Sequence, residues 1–188
     1  MKILLLPGLY NSGPAHWQSL WESALPNVSR VQQKNWDQPN CSDWLTSLDQ
    51  QISDTEESVV IVAHSLGCAL LAHWAQSSLL ANTDKARVRG ALLVAPPDVA
   101  RVQFPAPDFS PMPTRSLPFP TTVIASDNDP WCELGLARLW AEAWGAQFHC
   151  IGAKGHINGE SGLAAWSQGQ QWLAELMQNA NNSQICTR

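Results

Sequence analysis

The amino-acid sequence predicts an α/β fold with a mostly parallel, six-stranded sheet flanked by helices. Short apolar runs alternate with segments of helical periodicity along the whole chain. The run at 59–63, Val-Val-Ile-Val-Ala, is apolar at every position, which is typical of a strand buried on both faces of a parallel sheet. Glycine or proline follows several of these runs and marks the strand ends.

Six apolar runs are predicted to form the strands, and the segments between them to form helices. The predicted strands span residues 3–6, 28–32, 59–63, 88–95, 121–126 and 146–151. The predicted helices span residues 15–22, 42–52, 66–80, 131–144 and 163–179. Pro14 suits the start of the first helix. The fourth helix offers four side chains to the core: Leu134, Leu136, Leu139 and Trp140.

The chain is expected to form one domain. Its 188 residues are enough to bury a substantial core, and no repeat or linker divides them. We therefore predict a single domain over residues 1–188. The polar end of the chain, residues 181–188, is expected to fray.

The segment 96–120 is proline-rich and almost free of periodicity. A stretch of this length without a helix of its own is uncommon inside a compact domain and tends to be functional. One interpretation is a loop that lies over the carboxyl-end face of the sheet. The other is an ordered spacer that only covers a sheet edge.

Composition excludes several classes of protein. The net charge is −5 and the basic residues are scattered, so nothing favours binding to nucleic acid or to an anionic membrane surface. No apolar run approaches the roughly 18 residues of a membrane span, and the N-terminal run is too short for a signal peptide. The five cysteines lack C-x-x-C spacing, and Cys68 and Cys150 lie in apolar elements, so reduced thiols and a cytoplasmic location are expected. We expect neither a metal nor a cofactor.

Ser65 stands at the corner between the strand at 59–63 and the following helix. The flanks Ala63 and Gly67 complete a small-x-Ser-x-small pattern, which predicts a nucleophile elbow. Small flanks are needed because larger side chains would push the turn open. The backbone N–H of Leu66 would then point at negative charge beside the serine. The alternative is a core strand followed by a helix that has an ordinary serine N-cap.

Polar residues follow two later strands. Asp127 and Asp129 come after the fifth strand, and His156 follows the sixth. Because parallel strands end at one edge of the sheet, we expect these groups to lie near Ser65. A serine hydroxyl needs a base to act as a nucleophile, and histidine needs a carboxylate on its other ring nitrogen. The sequence therefore predicts a Ser-Asp-His triad in which either aspartate is the acid.

Backbone donors and the other histidines complete the predicted site. The backbone N–H groups of Leu66 and Leu9 are predicted to form an oxyanion hole. Structural roles are expected for the other four histidines: His16, His64, His73 and His149. His16 heads a helix, where it is placed to line the pocket without a triad position. A phosphate binder is disfavoured because neither G-x-G-x-x-G nor a P-loop follows the first or third strand.

Taken together, the sequence resembles the small single-domain serine hydrolases of the YdeN and retinoblastoma-binding-protein-nine type, within the α/β hydrolases. The resemblance is carried by short motifs that span almost the whole chain: Pro7-Gly8, His16-Trp17 with Trp21, Ala63-His64-Ser65-Leu66-Gly67, Ser126-x-x-Asp129-Pro130, and Gly155-His156-Ile157-Asn158 followed by Gly162 and Trp166.

The resemblance implies an α/β-hydrolase fold without a large cap domain. It also implies a triad of Ser65, Asp129 and His156, and hydrolysis of small esters. It favours Asp129 as the acid, since Ser126-x-x-Asp129 resembles the turn that carries the acid in this fold. Asp127 would then bond within the turn. One member of the family binds a partner through a Leu-x-Cys-x-Glu motif, which this sequence lacks.

Two functions are left open by the sequence. The first is a serine hydrolase that acts on a small ester or acyl substrate through a covalent acyl-enzyme. The second is a protein-interaction module on a hydrolase scaffold, in which the triad is idle and the segment 96–120 binds an unspecified partner. Whether the substrate is an ester, a thioester or an amide is not determined by the sequence, nor is the oligomeric state.

Overall fold

The computed structural model describes residues 1–77 and 86–185. The strands are β1 (Lys2–Leu6), β2 (Val28–Arg30), β3 (Val59–His64), β4 (Val88–Val94), β5 (Thr121–Ala125) and β6 (Gln147–Cys150). The helices are α1 (Trp17–Ala24), α2 (Cys41–Ser53), α3 (Leu66–Gln76), α4 (Leu134–Trp144) and α5 (Ser167–Ile185). The predicted alternation of strands and helices is confirmed.

The six strands form one sheet in the order β2-β1-β3-β4-β5-β6, and every neighbouring pair is parallel. The chain runs from β1 outward to β2 and then returns to the other side of β1 as β3. This reversal creates a switch point between β1 and β3, where open α/β sheets bind ligands beyond the carboxyl ends of the strands. Leu6 pairs with Ala63, so the loop after β1 meets the turn after β3.

Successive apolar side chains of a strand point to opposite faces of the sheet, so both faces are apolar. Helices cover both of them. In β3, Ile61 and Ala63 pack into one core, and Val60 and Val62 pack into the other. The first core is closed by side chains of α2, α3 and α4, and the second by side chains of α1 and α5. Burial on both faces explains why β3 is apolar from Val59 to Ala63.

Three predicted helix boundaries differ from the structure. The first helix begins at Trp17, because the side chain of His16 caps it, and Pro14 lies in the preceding turn. The fourth begins at Leu134 instead of residue 131. The third ends at Gln76, and residues 78–80 of the predicted helix lie outside the described part of the chain.

The last helix also differs from its prediction. It begins at Ser167 and continues to Ile185, past the predicted end at residue 179. Most of the segment 181–188, predicted as a frayed tail, is therefore helical backbone, and residues 186–188 lie outside the described part of the chain. Fraying of this end stays a prediction.

One side-chain placement was wrong in the sequence-based prediction. Leu139 is 60% exposed, because the inward positions of α4 are taken by Ala137, Trp140 and Ala141. Cys150 is exposed because it ends β6, which is an edge strand. Cys68, by contrast, is buried.

The segment 96–120 borders the carboxyl-end face of the sheet, in agreement with the first interpretation, and it also packs into the core. Phe104 and Pro105 line a cavity at the carboxyl-end face of the sheet. Further along, Phe109 is buried in the first core, and its carbonyl accepts a hydrogen bond from Nε2 of His73 at 2.8 Å. The segment is therefore anchored to the fold at one part and borders the cavity at another.

No helix within residues 1–77 and 86–185 is long and apolar enough to cross a membrane.

Candidate active site

Ser65 occupies a strained turn between β3 and α3. Its φ of 53° and ψ of −124° lie outside the regions that L-residues favour, and its side chain does not cap the helix. The turn depends on Gly67, because a Cβ there would lie 2.3 Å from the carbonyl oxygen of Leu6. Ala63, on the other flank, is fully buried in the first core, which accommodates its methyl group.

The loop after β1 runs directly over this turn. A Cβ on Gly8 would lie 2.7 Å from Cβ of Ser65 and 3.1 Å from the backbone nitrogen of Leu66, so only glycine fits. Leu66 is the first residue of α3, and its N–H has no acceptor within the helix. Leu9 lines the cavity, and no acceptor for its N–H is found in the described part of the chain. Two free N–H groups thus lie near Ser65.

The structure brings Ser65, His156 and Asp129 into one hydrogen-bonded line. Nε2 of His156 lies 2.7 Å from Oγ of Ser65, and Nδ1 lies 2.9 Å from both carboxylate oxygens of Asp129. The carboxylate can only accept from Nδ1–H, which leaves Nε2 free to accept from the serine hydroxyl. Asp127, the other acid considered, is exposed, and its backbone N–H donates to the carbonyl of Gly152.

The hydrogen-bonded line of Ser65, His156 and Asp129 is shielded from water. The side chain of Asp129 is 3% exposed and that of His156 is 11% exposed. Asp129 also accepts a hydrogen bond from the N–H of Trp131 at 2.9 Å, which fixes the orientation of the carboxylate. Low exposure strengthens the interactions between these charged and polar groups relative to water.

His64 and Trp17 hold the loop that carries His156. Nε2 of His64 donates to the backbone carbonyl of His156 at 2.9 Å, and the indole N–H of Trp17 donates to the carbonyl of Ile157 at 2.8 Å. Burial lowers the pKa of His64 well below its ordinary value, with the neighbouring His16 and His156 adding to the shift, so its ring is neutral. Sequence reasoning missed this contact; the only signal was the position of His64 directly before Ser65.

A second set of bonds joins the loops after β5 and β6. Oγ of Ser126 accepts from the N–H of Lys154 at 2.9 Å, and Oδ1 of Asn128 accepts from the N–H of Gly155 at 2.7 Å. These bonds set the separation of the two loops that supply Asp129 and His156. The sequence contained no signal for the role of Asn128 beyond its place in a turn.

Arg30 organises the loop after β1. Its guanidinium donates to Oδ1 of Asn11 at 2.7 Å and to the carbonyl of Ser12 at 2.9 Å, and it pairs with Glu22. Gln18 connects the same region to the sheet by donating to the carbonyls of Leu6 and Val62. This network was also missed, because it joins residues of different elements.

A cavity of about 520 Å³ opens above Ser65. This volume lies within the roughly 300–1,000 Å³ that is usual for small-molecule sites. One group of its lining residues is apolar: Leu9, Phe104, Pro105 and Trp131. Another group is polar: Asn11, His16, His64, Asn158 and Glu160. Among the described lining residues Glu160 is the only acidic one, and none is a lysine or arginine.

Comparison with known proteins identifies the family. The sequence matches the family model of serine hydrolases over residues 3–175. The chain belongs to the serine hydrolase family. The matched range contains Ser65, Asp129 and His156. No curated protein matches the sequence.

Solved structures agree with this assignment. A YdeN-like hydrolase from Pectobacterium atrosepticum is 31% identical, with a TM-score of 0.84 over 95% of this chain and 91% of that one. The ydeN gene product of B. subtilis is 18% identical, with a TM-score of 0.74 over 94% of this chain and 98% of that one. Thermogutta terrifontis esterase 2, phosphorylated by paraoxon, is 15% identical, with a TM-score of 0.65 over 94% of this chain and 81% of that one.

The resemblance to YdeN-type hydrolases is thereby confirmed, and so is the α/β-hydrolase fold. No large cap domain is present in the described part of this serine hydrolase.

Proposed function

We propose that this serine hydrolase cleaves small esters through a covalent acyl-enzyme, with Ser65 as nucleophile, His156 as general base and acid, and Asp129 as the partner of His156. The observation that carries the proposal is the line of hydrogen bonds from Oγ of Ser65 through His156 to Asp129. Asp129 holds Nδ1–H of His156 in place and stabilises the imidazolium that forms during the reaction.

In the first half of the reaction, Nε2 of His156 removes the hydroxyl proton of Ser65 while Oγ attacks the substrate carbonyl carbon. The carbonyl oxygen becomes an oxyanion, which accepts hydrogen bonds from the N–H groups of Leu66 and Leu9. His156 then gives its proton to the leaving alcohol oxygen as the ester C–O bond breaks. The products of this step are the free alcohol and an acyl group on Ser65.

In the second half, water takes the place of the alcohol. His156 removes a proton from the water while the water oxygen attacks the acyl carbon. The N–H groups of Leu66 and Leu9 stabilise the second oxyanion. The bond to Oγ breaks, and His156 returns the proton to Ser65. The products are the carboxylic acid and the free protein, so no other reactant is consumed.

The cavity supports a small substrate. Its volume of about 520 Å³ and its apolar side chains, Leu9, Phe104 and Trp131, suit a short acyl or alcohol group. The absence of lysine and arginine from its described lining residues disfavours strongly anionic substrates.

Labelling with a fluorophosphonate probe tests the nucleophile. We expect the wild-type protein to be labelled on the peptide that contains Ser65, and Ser65→Ala to remain unlabelled. Ser23→Ala is the matched control, because Ser23 is exposed on α1 and bonds only to its own helix. A folded wild-type protein that takes no label, or that is labelled equally after Ser65→Ala, would refute the proposal and favour an interaction module.

A further inference from the structure

His16 lies in the same cavity as Ser65 but takes no part in the proposed reaction. Its side chain caps α1 and the residue is only 6% exposed. Its ring centroid is 4.6 Å from that of His64, which in turn lies 5.0 Å from the ring of His156. A buried imidazole therefore stands beside the proposed reaction centre.

The hydrogen bonds of His16 define its tautomer. Nδ1 accepts a hydrogen bond from the backbone N–H of Gln18 at 3.1 Å, so Nδ1 carries no proton. Burial, together with the positive charge of Arg30, lowers the pKa of His16 to about 4, so the ring is neutral near pH 7. A neutral ring without a proton on Nδ1 carries it on Nε2, which makes Nε2–H a donor.

Nε2 of His16 is buried, and no acceptor for its N–H is found in the described part of the chain. Buried polar groups are nearly always paired, and an unpaired one costs free energy. Nε2 itself has almost no exposed surface. Since His16 lines the cavity, a bound molecule that displaces the atoms covering Nε2 can offer it an acceptor.

We propose that Nε2–H of His16 donates a hydrogen bond to an uncharged oxygen of the substrate, in addition to the carbonyl oxygen that is under attack. The inference rests on the proposed function and narrows its substrate class to esters that carry a further ether, hydroxyl or carbonyl oxygen. The oxygen of the attacked carbonyl already has two proposed hydrogen-bond donors, the N–H groups of Leu9 and Leu66. An uncharged acceptor is favoured because the donor is neutral and Glu160 also lines the cavity.

Two substitutions test the roles of Nδ1 and Nε2 of His16 separately. His16→Asn keeps an acceptor near the position of Nδ1, and asparagine is a favoured N-cap residue, but the variant lacks a group at Nε2. His16→Gln reaches the position of Nε2 with an amide N–H, but it is a poor cap. The first variant removes the proposed substrate contact and keeps the helix cap, and the second does the reverse.

The test uses pairs of esters in which one CH₂ group is replaced by oxygen. The acyl pair is 4-nitrophenyl methoxyacetate and 4-nitrophenyl butyrate, and the alcohol pair is 2-methoxyethyl acetate and butyl acetate. For each protein the ratio of kcat/KM within a pair is measured. Dividing the wild-type ratio by the variant ratio cancels the intrinsic reactivity of the two esters.

In at least one pair we expect His16→Asn to lower the ratio about tenfold, the usual effect of one lost hydrogen bond, and His16→Gln to keep it near the wild-type value. Unchanged ratios in both pairs for His16→Asn, or equal losses in the two variants, would overturn the inference. The loss of kcat/KM from wild type to His16→Asn should be smaller for mono-4-nitrophenyl succinate than for the methoxyacetate, and a larger loss would rule out an uncharged acceptor.

The outcomes also separate this inference from the proposed function. If wild-type protein cleaves none of the esters and takes no fluorophosphonate label, both fail. If it cleaves them and is labelled at Ser65, but the ratios do not respond to His16→Asn, only the role of His16 fails.

Discussion

Nε2 of His64 donates a hydrogen bond to the backbone carbonyl of His156 at 2.9 Å, so the residue before the proposed nucleophile holds the loop of the proposed base. We predict that His64→Ala lowers kcat/KM for a 4-nitrophenyl ester about 10- to 100-fold, because a small displacement of His156 misaligns the proton transfer. The decrease should lie mainly in kcat.

His73→Ala is the matched control for this prediction. His73 also donates from Nε2 to a backbone carbonyl, that of Phe109, but it does not line the cavity. Each substitution should lower the free energy of unfolding by about 1–3 kcal/mol, since each leaves a carbonyl unpaired. Equal losses of kcat/KM in the two variants would show that the effect of His64 is on stability alone.

Replacement of Asp129 by asparagine should reduce kcat about 10⁴-fold, because an amide in place of the carboxylate favours the wrong tautomer of His156. Asp127→Asn makes the same change in charge two residues away, on a side chain that does not contact His156. We expect its kcat to stay within about twofold of wild type, as is usual for exposed substitutions. Steady-state kinetics on one activated ester compares the two, and a larger loss for Asp127→Asn would assign the acid to that residue.

Gly8→Ala should abolish most of the activity. The added Cβ would lie 2.7 Å from Cβ of Ser65, so the loop or the turn must move and the N–H groups near Ser65 lose their alignment. Loss of one oxyanion donor costs about 10²–10³-fold in kcat. Gly135→Ala serves as control, because a Cβ there meets nothing within 4 Å in helix α4. The control should retain activity and gain up to about 1 kcal/mol in free energy of unfolding. Wild-type kcat in Gly8→Ala would contradict the close contact.

The protein should lose stability as the pH falls from about 6.5 towards 4. The pKa of His16 is about 4 in the folded protein and 6.5 when unperturbed, so within this window the unfolded chain binds a proton that the folded protein does not. His64, whose folded pKa is also lowered, adds to the loss. At pH 4.5 the His16 contribution should be on the order of 2 kcal/mol.

Denaturant unfolding at pH 7.5 and pH 4.5 measures this effect. His16→Asn removes the titrating ring but keeps a capping oxygen, so the difference in unfolding free energy between the two pH values should shrink by the His16 contribution. An identical difference in wild type and variant would show that His16 is not held neutral by the fold.

Much of the fold followed from local patterns. Apolar runs and helical spacing predicted the six strands and five helices that are assigned within residues 1–77 and 86–185, because these signals depend on neighbours along the chain. Boundaries were less accurate where a side chain decided them, as at His16, whose ring caps α1 two residues after Pro14. Leu139 was misplaced because the inward side of α4 depends on the sheet beneath it.

The sequence by itself determined the order of strands and helices, the family, and the residues at the strand ends, including Ser65, Asp129 and His156. Only the tertiary structure decided which aspartate contacts His156 and that His64 supports the loop of His156. It also decided that Nε2 of His16 has no acceptor within residues 1–77 and 86–185. The physical reason is that these are contacts between distant parts of the chain, set by strand order and side-chain direction. Ser65 follows β3 and His156 follows β6, and no local pattern records a distance of 2.7 Å between them.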